Sequence, residues 1–339
     1  MLNARTGVRA LVLLAAVFAM VATSVVEAAP IGMLKQFRIP TSNTSPKGIT
    51  QGSDGNFWFT EGFVNPPQLN NQSVGRITPA GAITEFQVCT DSCGPNDIVQ
   101  GPNGILYFTT NHPGLGRITN AGALLADVAP TNPPFADASL ANGNGIAAHA
   151  TDIWFAAFNT NSIWRFNTVT NAFTEFVPPT AGSDPYDVAV DASGNVWFTE
   201  QVNTGQIGRI DAATGAITER AVTNVPRQIT IATDGTVWFT ERFASMVGRL
   251  TPSTNAVAEF SLGAGTGPEG IAAAPDGSVW IVQSDAGNVA RITLSAGTAV
   301  IAQGPNVRGS QPFGVTVAPN GNVWYAELSA NKIAVLNPR

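Results

Sequence analysis

The sequence predicts an all-β fold: a seven-bladed β-propeller with four-stranded blades, its ring closed by an N-terminal strand that completes blade 7. Three observations lead there. A motif around a Trp-Phe pair recurs seven times, at spacings of 49, 47, 43, 41, 42 and 44 residues. Helical periodicity is absent along the chain. The last repeat lacks one strand, and the start of the chain resembles the missing piece.

Residues 1–29 read as a secretion signal. Arg5 and Arg9 form a positive n-region, residues 10–26 an Ala-rich apolar core, and Val26-Glu27-Ala28-Ala29 a small-residue cleavage site. An uncleaved anchor is the alternative, but the apolar run is short for a span. Residues 30–339 are then a single exported domain, periplasmic or extracellular, with no transmembrane segment in the mature protein. A monomer is expected. Export makes Cys89 and Cys93, the only cysteines, candidates for a disulfide. A zinc site would need four ligands, and no Cys or His cluster lies nearby to supply the others.

The repeats follow. The aromatic anchors are Trp58, Tyr107, Trp154, Trp197, Trp238, Trp280 and Trp324. Each unit has a Pro-x-Gly-Ile-like strand, an Asp-Gly or Asn-Gly turn, an apolar strand holding the anchor, Gly-Arg-Ile, a second Gly turn, and Ile-Thr-Glu-Phe. That is four short strands per unit with turn signals between them. Phe57, Trp58 and Phe59 are consecutive apolar residues, as expected of a strand covered on both faces. The seventh unit stops after residues 332–336, and residues 34–40 match its missing fourth strand. An open solenoid would suit the same period but needs polar caps; closure removes the exposed edges.

Composition agrees. Charged residues are 12% of the chain, and Gly and Pro are plentiful at 34 and 23. The net charge of −6 gives no electrostatic footprint for nucleic acid. The arginines of Gly-Arg-Ile (Arg76, Arg117, Arg165, Arg209, Arg249, Arg291) and the fourth-strand glutamates (Glu85, Glu175, Glu219, Glu259) suggest cross-strand ion pairs.

Strand alternation puts the loops before Pro-x-Gly and those after Trp-Phe-Thr-Glu on one face, where the channel opens as a funnel. Long irregular loops there (61–73, 89–94 and 128–143) mark the functional face. The x of Pro-x-Gly supplies a ring of candidate ligand-binding residues: Lys47, Asn96, Asn144, Tyr186, Arg227, Glu269 and Phe313. Fourteen residues later, Glu61, Thr110, Phe158 (displaced by one), Glu200, Glu241, Gln283 and Glu327 form an expected second ring; for Glu61, Glu241 and Glu327, capping of a neighbouring loop's amides is an equal alternative to facing a ligand. In blade 4, Asp184 and Glu200 flank Tyr186. Two converging carboxylates take a cation, an Arg or a proton. Mg²⁺ or Ca²⁺ would suit them, with Arg227 the competing partner, while alternation points Asp187 away.

Pro-x-Gly-Ile, Asp-Gly-Asn-x-Trp-Phe-Thr-Glu, Gly-Arg-Ile-Thr-Pro and Gly-x-Ile-Thr-Glu-Phe together resemble the virginiamycin B lyase (streptogramin lyase) family over residues 34–338. The resemblance implies a seven-bladed propeller and a Mg²⁺-dependent elimination that opens the ester of a cyclic peptide antibiotic without water. It also implies a His base in a Glu-Pro-His-Gly-Ile setting, with glutamates, including that of Trp-Phe-Thr-Glu, on the metal. The pattern fits best at Asp184-Pro185-Tyr186-Asp187 with Glu200, so the base position is Tyr186. No other blade has a His there; the two histidines are His112, in a funnel-face loop, and His149, near an opposite-face turn. A tyrosine of ordinary pKa is a poor base at neutral pH. The expectation is an exported propeller that binds a small molecule or peptide at the funnel without His-based chemistry. The alternative is a metal-dependent lyase or hydrolase in which Tyr186 or His112 moves the proton.

Overall fold

The structure, a computed structural model, describes residues 25–28, 31–62, 72–89, 93–112, 114–129, 145–202, 205–295 and 297–339. Among them, seven sheets follow one another along the chain as the blades of a propeller. Blade 1 runs antiparallel through Pro46–Gln51, Phe57–Glu61, Gln72–Ile77 and Ile83–Cys89, from the channel outward. Blades 2 to 6 repeat this order over 98–128, 146–176, 185–221, 229–261 and 268–303. Blade 7 contributes Pro312–Val317, Val323–Glu327 and Lys332–Asn337, and Met33–Arg38 closes it in register from Met33 opposite Asn337 to Arg38 opposite Lys332. No helix is long and apolar enough to cross a membrane among these residues. One strand lies within the expected signal: Val25–Ala28 adds in parallel to Thr298–Gln303 at the outer edge of blade 6.

The second strand of each blade carries the core because a neighbouring blade covers each of its faces. In blade 1, Trp58 packs with Ile98, Leu106 and Phe108 of blade 2, while Phe57 and Phe59 pack with Trp324 and Ala326 of blade 7. Phe57 and Trp324 stack with ring centroids 4.3 Å apart. All seven aromatic anchors are buried, and burial of a large aromatic contributes about 2–3 kcal/mol.

The register corrects the expected Arg–Glu pairing. Arg76 stands opposite Trp58 on one side and Thr84 on the other, whereas Glu85 stands opposite Gly75. One residue of offset puts Arg and Glu on opposite faces of the sheet. The guanidinium of Arg76 instead lies 5.5 Å from the Trp58 ring, and Arg165, Arg209, Arg249 and Arg291 cover their own tryptophans in the same way. Arg249 and Arg291 take their ion pairs from the turn acids Asp234 and Asp276. Blade 7, with Val335 opposite Trp324, substitutes an apolar cover.

Cys89, at the outer edge of blade 1, is joined by a disulfide to Cys93. The backbone carbonyl of Cys93 accepts from the N–H of Asn111. The link thus ties the end of blade 1 to the funnel-side loop of blade 2.

Candidate functional site

The inner strands of blades 1, 4, 6 and 7 share a defect that builds the channel mouth. Pro185 pairs with Glu200 and Val188 with Phe198, so three steps on one strand meet two on the other. The same bulge separates Pro46 from Ile49, Pro268 from Ile271 and Pro312 from Val315. A bulge interrupts side-chain alternation. Tyr186 and Asp187 consequently both line the channel cavity, which corrects the expectation that Asp187 points away. Glycines let the inner strands approach where blades crowd: a Cβ on Gly314 would run into the Lys47 carbonyl, and one on Gly145 into the Asp187 carboxyl.

The cavity has a volume of about 520 Å³, and all seven inner strands contribute to its wall. Lys47, Asn96, Tyr186, Arg227 and Phe313 of the first expected ring line it. Asn144 lies outside the described residues. Glu269 stands behind Arg227, fully buried, and one of its oxygens accepts from Arg227 Nη2 at 3.0 Å and Nε at 3.3 Å. The Tyr186 hydroxyl donates to that same oxygen at 3.5 Å. Arg242 pairs with the other Glu269 oxygen and reaches Asp285 at 2.7 Å. The Arg227 guanidinium lies 4.3 Å from the centre of the Tyr186 ring. One buried acid is thereby held by two arginines, one of them stacked on an aromatic face.

Burial first, and then the Glu269 charge, push the Tyr186 hydroxyl well above its usual range despite the opposing pull of Arg227. It is no base at neutral pH. Burial lowers the Lys47 ammonium, against the charge of Glu269, and Lys47 Nζ donates to Asn96 Oδ1 at 2.8 Å.

Deeper in the cavity are two acids, each joining blades. Asp97 accepts from the Ile98 N–H at 2.9 Å and from Ile146 in blade 3 at 3.4 Å. Asp187 accepts from the Val188 N–H at 2.8 Å and from Ile229 in blade 5 at 2.9 Å. Burial raises Asp97 to about 6; burial and then the Asp97 charge raise Asp187 to about 8.

The second expected ring is elsewhere. Glu61, Glu200, Glu241 and Glu327 are wholly buried and absent from the cavity wall. Their carboxyls turn within their own blades, Glu61 toward Glu85, Glu200 toward Ser183 and Glu219, Glu241 toward Glu259, and Glu327 toward Gln36 and Lys332. Asp184 sits in the preceding loop at φ 53°, its N–H donating to Asn161, while the neighbours of the Glu200 carboxyl are Ser183 and Glu219. Among the described residues no three Asp, Glu, His or Cys side chains converge to hold a metal. The donors at Asp184 and Glu200 therefore do not fit a resident Mg²⁺ or Ca²⁺. His112 hydrogen-bonds through its backbone to Thr110 in the blade 2 loop. His149 approaches Gly194 on the opposite face. Neither histidine lines the cavity.

Sequence reasoning passed over Asp97, Arg242 and Asp285, and turned Asp187 the wrong way. For Arg242 a signal was present: it directly follows Trp-Phe-Thr-Glu in blade 5, and Asp285 occupies the corresponding loop of blade 6.

The model of the virginiamycin B lyase family matches residues 20–136 and 136–339. The chain is similar to the solved virginiamycin B lyase from Staphylococcus aureus, at 27% identity and TM-score 0.77, over 90% of this chain and 99% of that one. A streptogramin B lyase structure matches at 27% identity and TM-score 0.78, over 91% and 98% of the two chains. A catalytically inactive histidine-to-alanine variant of the Staphylococcus aureus lyase, solved with quinupristin, matches at 27% identity and TM-score 0.77, over 90% and 99%. Comparison with curated protein sequences finds no match. The blades, their closure and the family model agree: the chain belongs to the virginiamycin B lyase family.

Proposed function

We propose that this exported propeller binds a small-molecule or peptide-like ligand at the channel mouth and does not perform the histidine-based elimination of its relatives. The observation that carries this reading is the wall of the 520 Å³ cavity, where Lys47, Asn96, Tyr186, Arg227 and Phe313 converge and no imidazole is present. A concave site with apolar rings and a few convergent polar groups is the usual form of a ligand pocket. Lys47 and Asn96 present donors suited to carbonyl oxygens, and the rings of Phe313 and Tyr186 offer flat apolar surface. Glu269 holds Arg227 in place beforehand, which limits the ordering cost of binding. Quinupristin, the compound solved with the inactive relative, is a rational first probe.

Similarity to two solved lyases favours a second reading, a metal-dependent lyase or hydrolase acting on an ester in a cyclic peptide. Incubation with quinupristin, with and without Mg²⁺, followed by mass spectrometry and calorimetric titration, separates the two. Saturable heat with an intact ring supports the proposal. A ring-opened product of unchanged mass indicates elimination and a gain of water indicates hydrolysis; either contradicts it, as does the absence of heat.

A further inference from the structure

A polar pair recurs inside the blades, away from the cavity. In blade 1, Phe59, Gly75 and Glu85 form one cross-strand row, with Glu61 and Ser73 in the next row on the same face. Phe59 lies over the bare Gly75, so little stands between Glu61 and Glu85. Blade 4 repeats the rows with Phe198, Gly208 and Glu219 beside Glu200, and blade 5 with Phe239, Gly248 and Glu259 beside Glu241. Blade 7 has Glu327 and Gln36 in these places, and the Gln36 amide donates to both Glu327 oxygens, at 2.8 and 2.6 Å. Blade 6 has Gln283 and Gln303.

In blades 1 and 4, where two glutamates face each other, the nearby hydroxyl hydrogens are committed elsewhere, whereas in blade 5 Asn224 Nδ2 donates to Glu241 at 3.2 Å. The Thr44 hydroxyl beside Glu61 donates to Asn331 Oδ1 at 2.9 Å. The Ser183 hydroxyl beside Glu200 donates to Asn161 Oδ1 at 3.0 Å. Among the described residues, no donor makes a hydrogen bond of good geometry to either carboxyl oxygen of Glu61 or Glu200. The outer-strand partners do accept. Glu219 takes the Thr180 N–H at 2.9 Å and its hydroxyl at 2.7 Å, and Glu85 takes the Thr41 N–H at 3.3 Å. Two buried carboxylates cannot both ionise at close range, and an amide already fills the donor role in blade 7.

We infer that Glu61, Glu200 and Glu241 are protonated in the folded protein and donate to the facing carboxyls of Glu85, Glu219 and Glu259. Each of these blades thus binds one structural proton where blade 7 uses an amide. Burial comes first among the causes that raise these groups, Glu61 to about 9, Glu200 to about 7 and Glu241 to about 8. In each case the facing glutamate of the same blade is the charged group that bears on it among the described residues, with Thr44, Ser183 and Asn224 as the neutral polar neighbours. The unfolded chain ionises these carboxyls near pH 4, so unfolding above that pH must release the protons.

Guanidinium unfolding of the full chain at pH 6, with proton release recorded by pH-stat, tests this. The triple variant Glu61→Gln/Glu200→Gln/Glu241→Gln should release about three protons fewer than wild type, and each single variant about one fewer. Unchanged release in the folded variants overturns the inference. If Gln at position 61 prevents folding, Glu85→Gln serves instead, because it recreates the Glu–Gln pair of blade 7; it should also lower the release, and no change there is equally fatal.

Discussion

The guanidinium of Arg227 lies 4.3 Å from the centre of the Tyr186 ring while donating to the buried Glu269. Position x of Pro-x-Gly in three successive blades is thereby one unit: a ring, a cation on its face and an acid behind both. The arrangement holds the tyrosine hydroxyl protonated and the arginine rigid, which suits recognition better than proton abstraction.

Removing Arg227 leaves Glu269 with Arg242 as its one ion-pair partner among the described residues. Breaking a buried ion pair from one side is costly, and Arg227 is partly exposed, so Arg227→Ala should lose roughly 2–4 kcal/mol. Tyr186→Phe removes only a long hydrogen bond and should cost at most about 1 kcal/mol. Urea denaturation of the two variants checks the order; a larger loss for Tyr186→Phe would contradict the assignment of Arg227 as the group that compensates Glu269.

Arg76 covers Trp58 and stands on the face opposite Glu85. A double-mutant cycle should therefore give a coupling of about 0.5–1 kcal/mol between Arg76 and Trp58, with Arg76 and Glu85 additive. Coupling of Arg76 to Glu85 instead would restore the ion pair that the register excludes.

Asp187 has a folded pKa of about 8 against roughly 4 in an unfolded chain. The folded state therefore binds the proton more tightly, and stability falls as pH rises from about 4 toward 8, then levels off. The protonated blade glutamates act in the same direction over windows ending at about 7, 8 and 9. Melting temperature should thus decline from pH 5 to pH 9, and Asp187→Asn should flatten part of the slope. A melting temperature that rises over this interval would refute the assigned protonation states.

Most of the architecture could be read from the chain because it rests on repetition. Seven aromatic anchors fix the blade count, and the likeness of residues 34–40 to a fourth strand identifies the closure. Five positions of the first ring could be read for the same reason: Lys47, Asn96, Tyr186, Arg227 and Phe313, one per repeat, line the cavity. The second ring could not. Counting fourteen residues from Tyr186 to Glu200 assumes unbroken alternation, and the bulge between Pro185 and Val188 adds a residue. Glu200 is sent into the blade and Asp187 into the channel. The Arg–Glu expectation failed through a one-residue offset between Arg76 and Glu85, because composition reports which charges recur but not which side of a sheet they occupy.

The central claim is binding at the mouth without ring opening, and calorimetric titration of quinupristin into wild type and Lys47→Met, with mass spectrometry of the recovered ligand, tests it most directly. The account predicts saturable binding by wild type, an affinity at least tenfold weaker in Lys47→Met, corresponding to about 1.4 kcal/mol, and a ligand recovered intact. Ring-opened quinupristin, or wild-type binding unaffected by loss of Lys47, would contradict it.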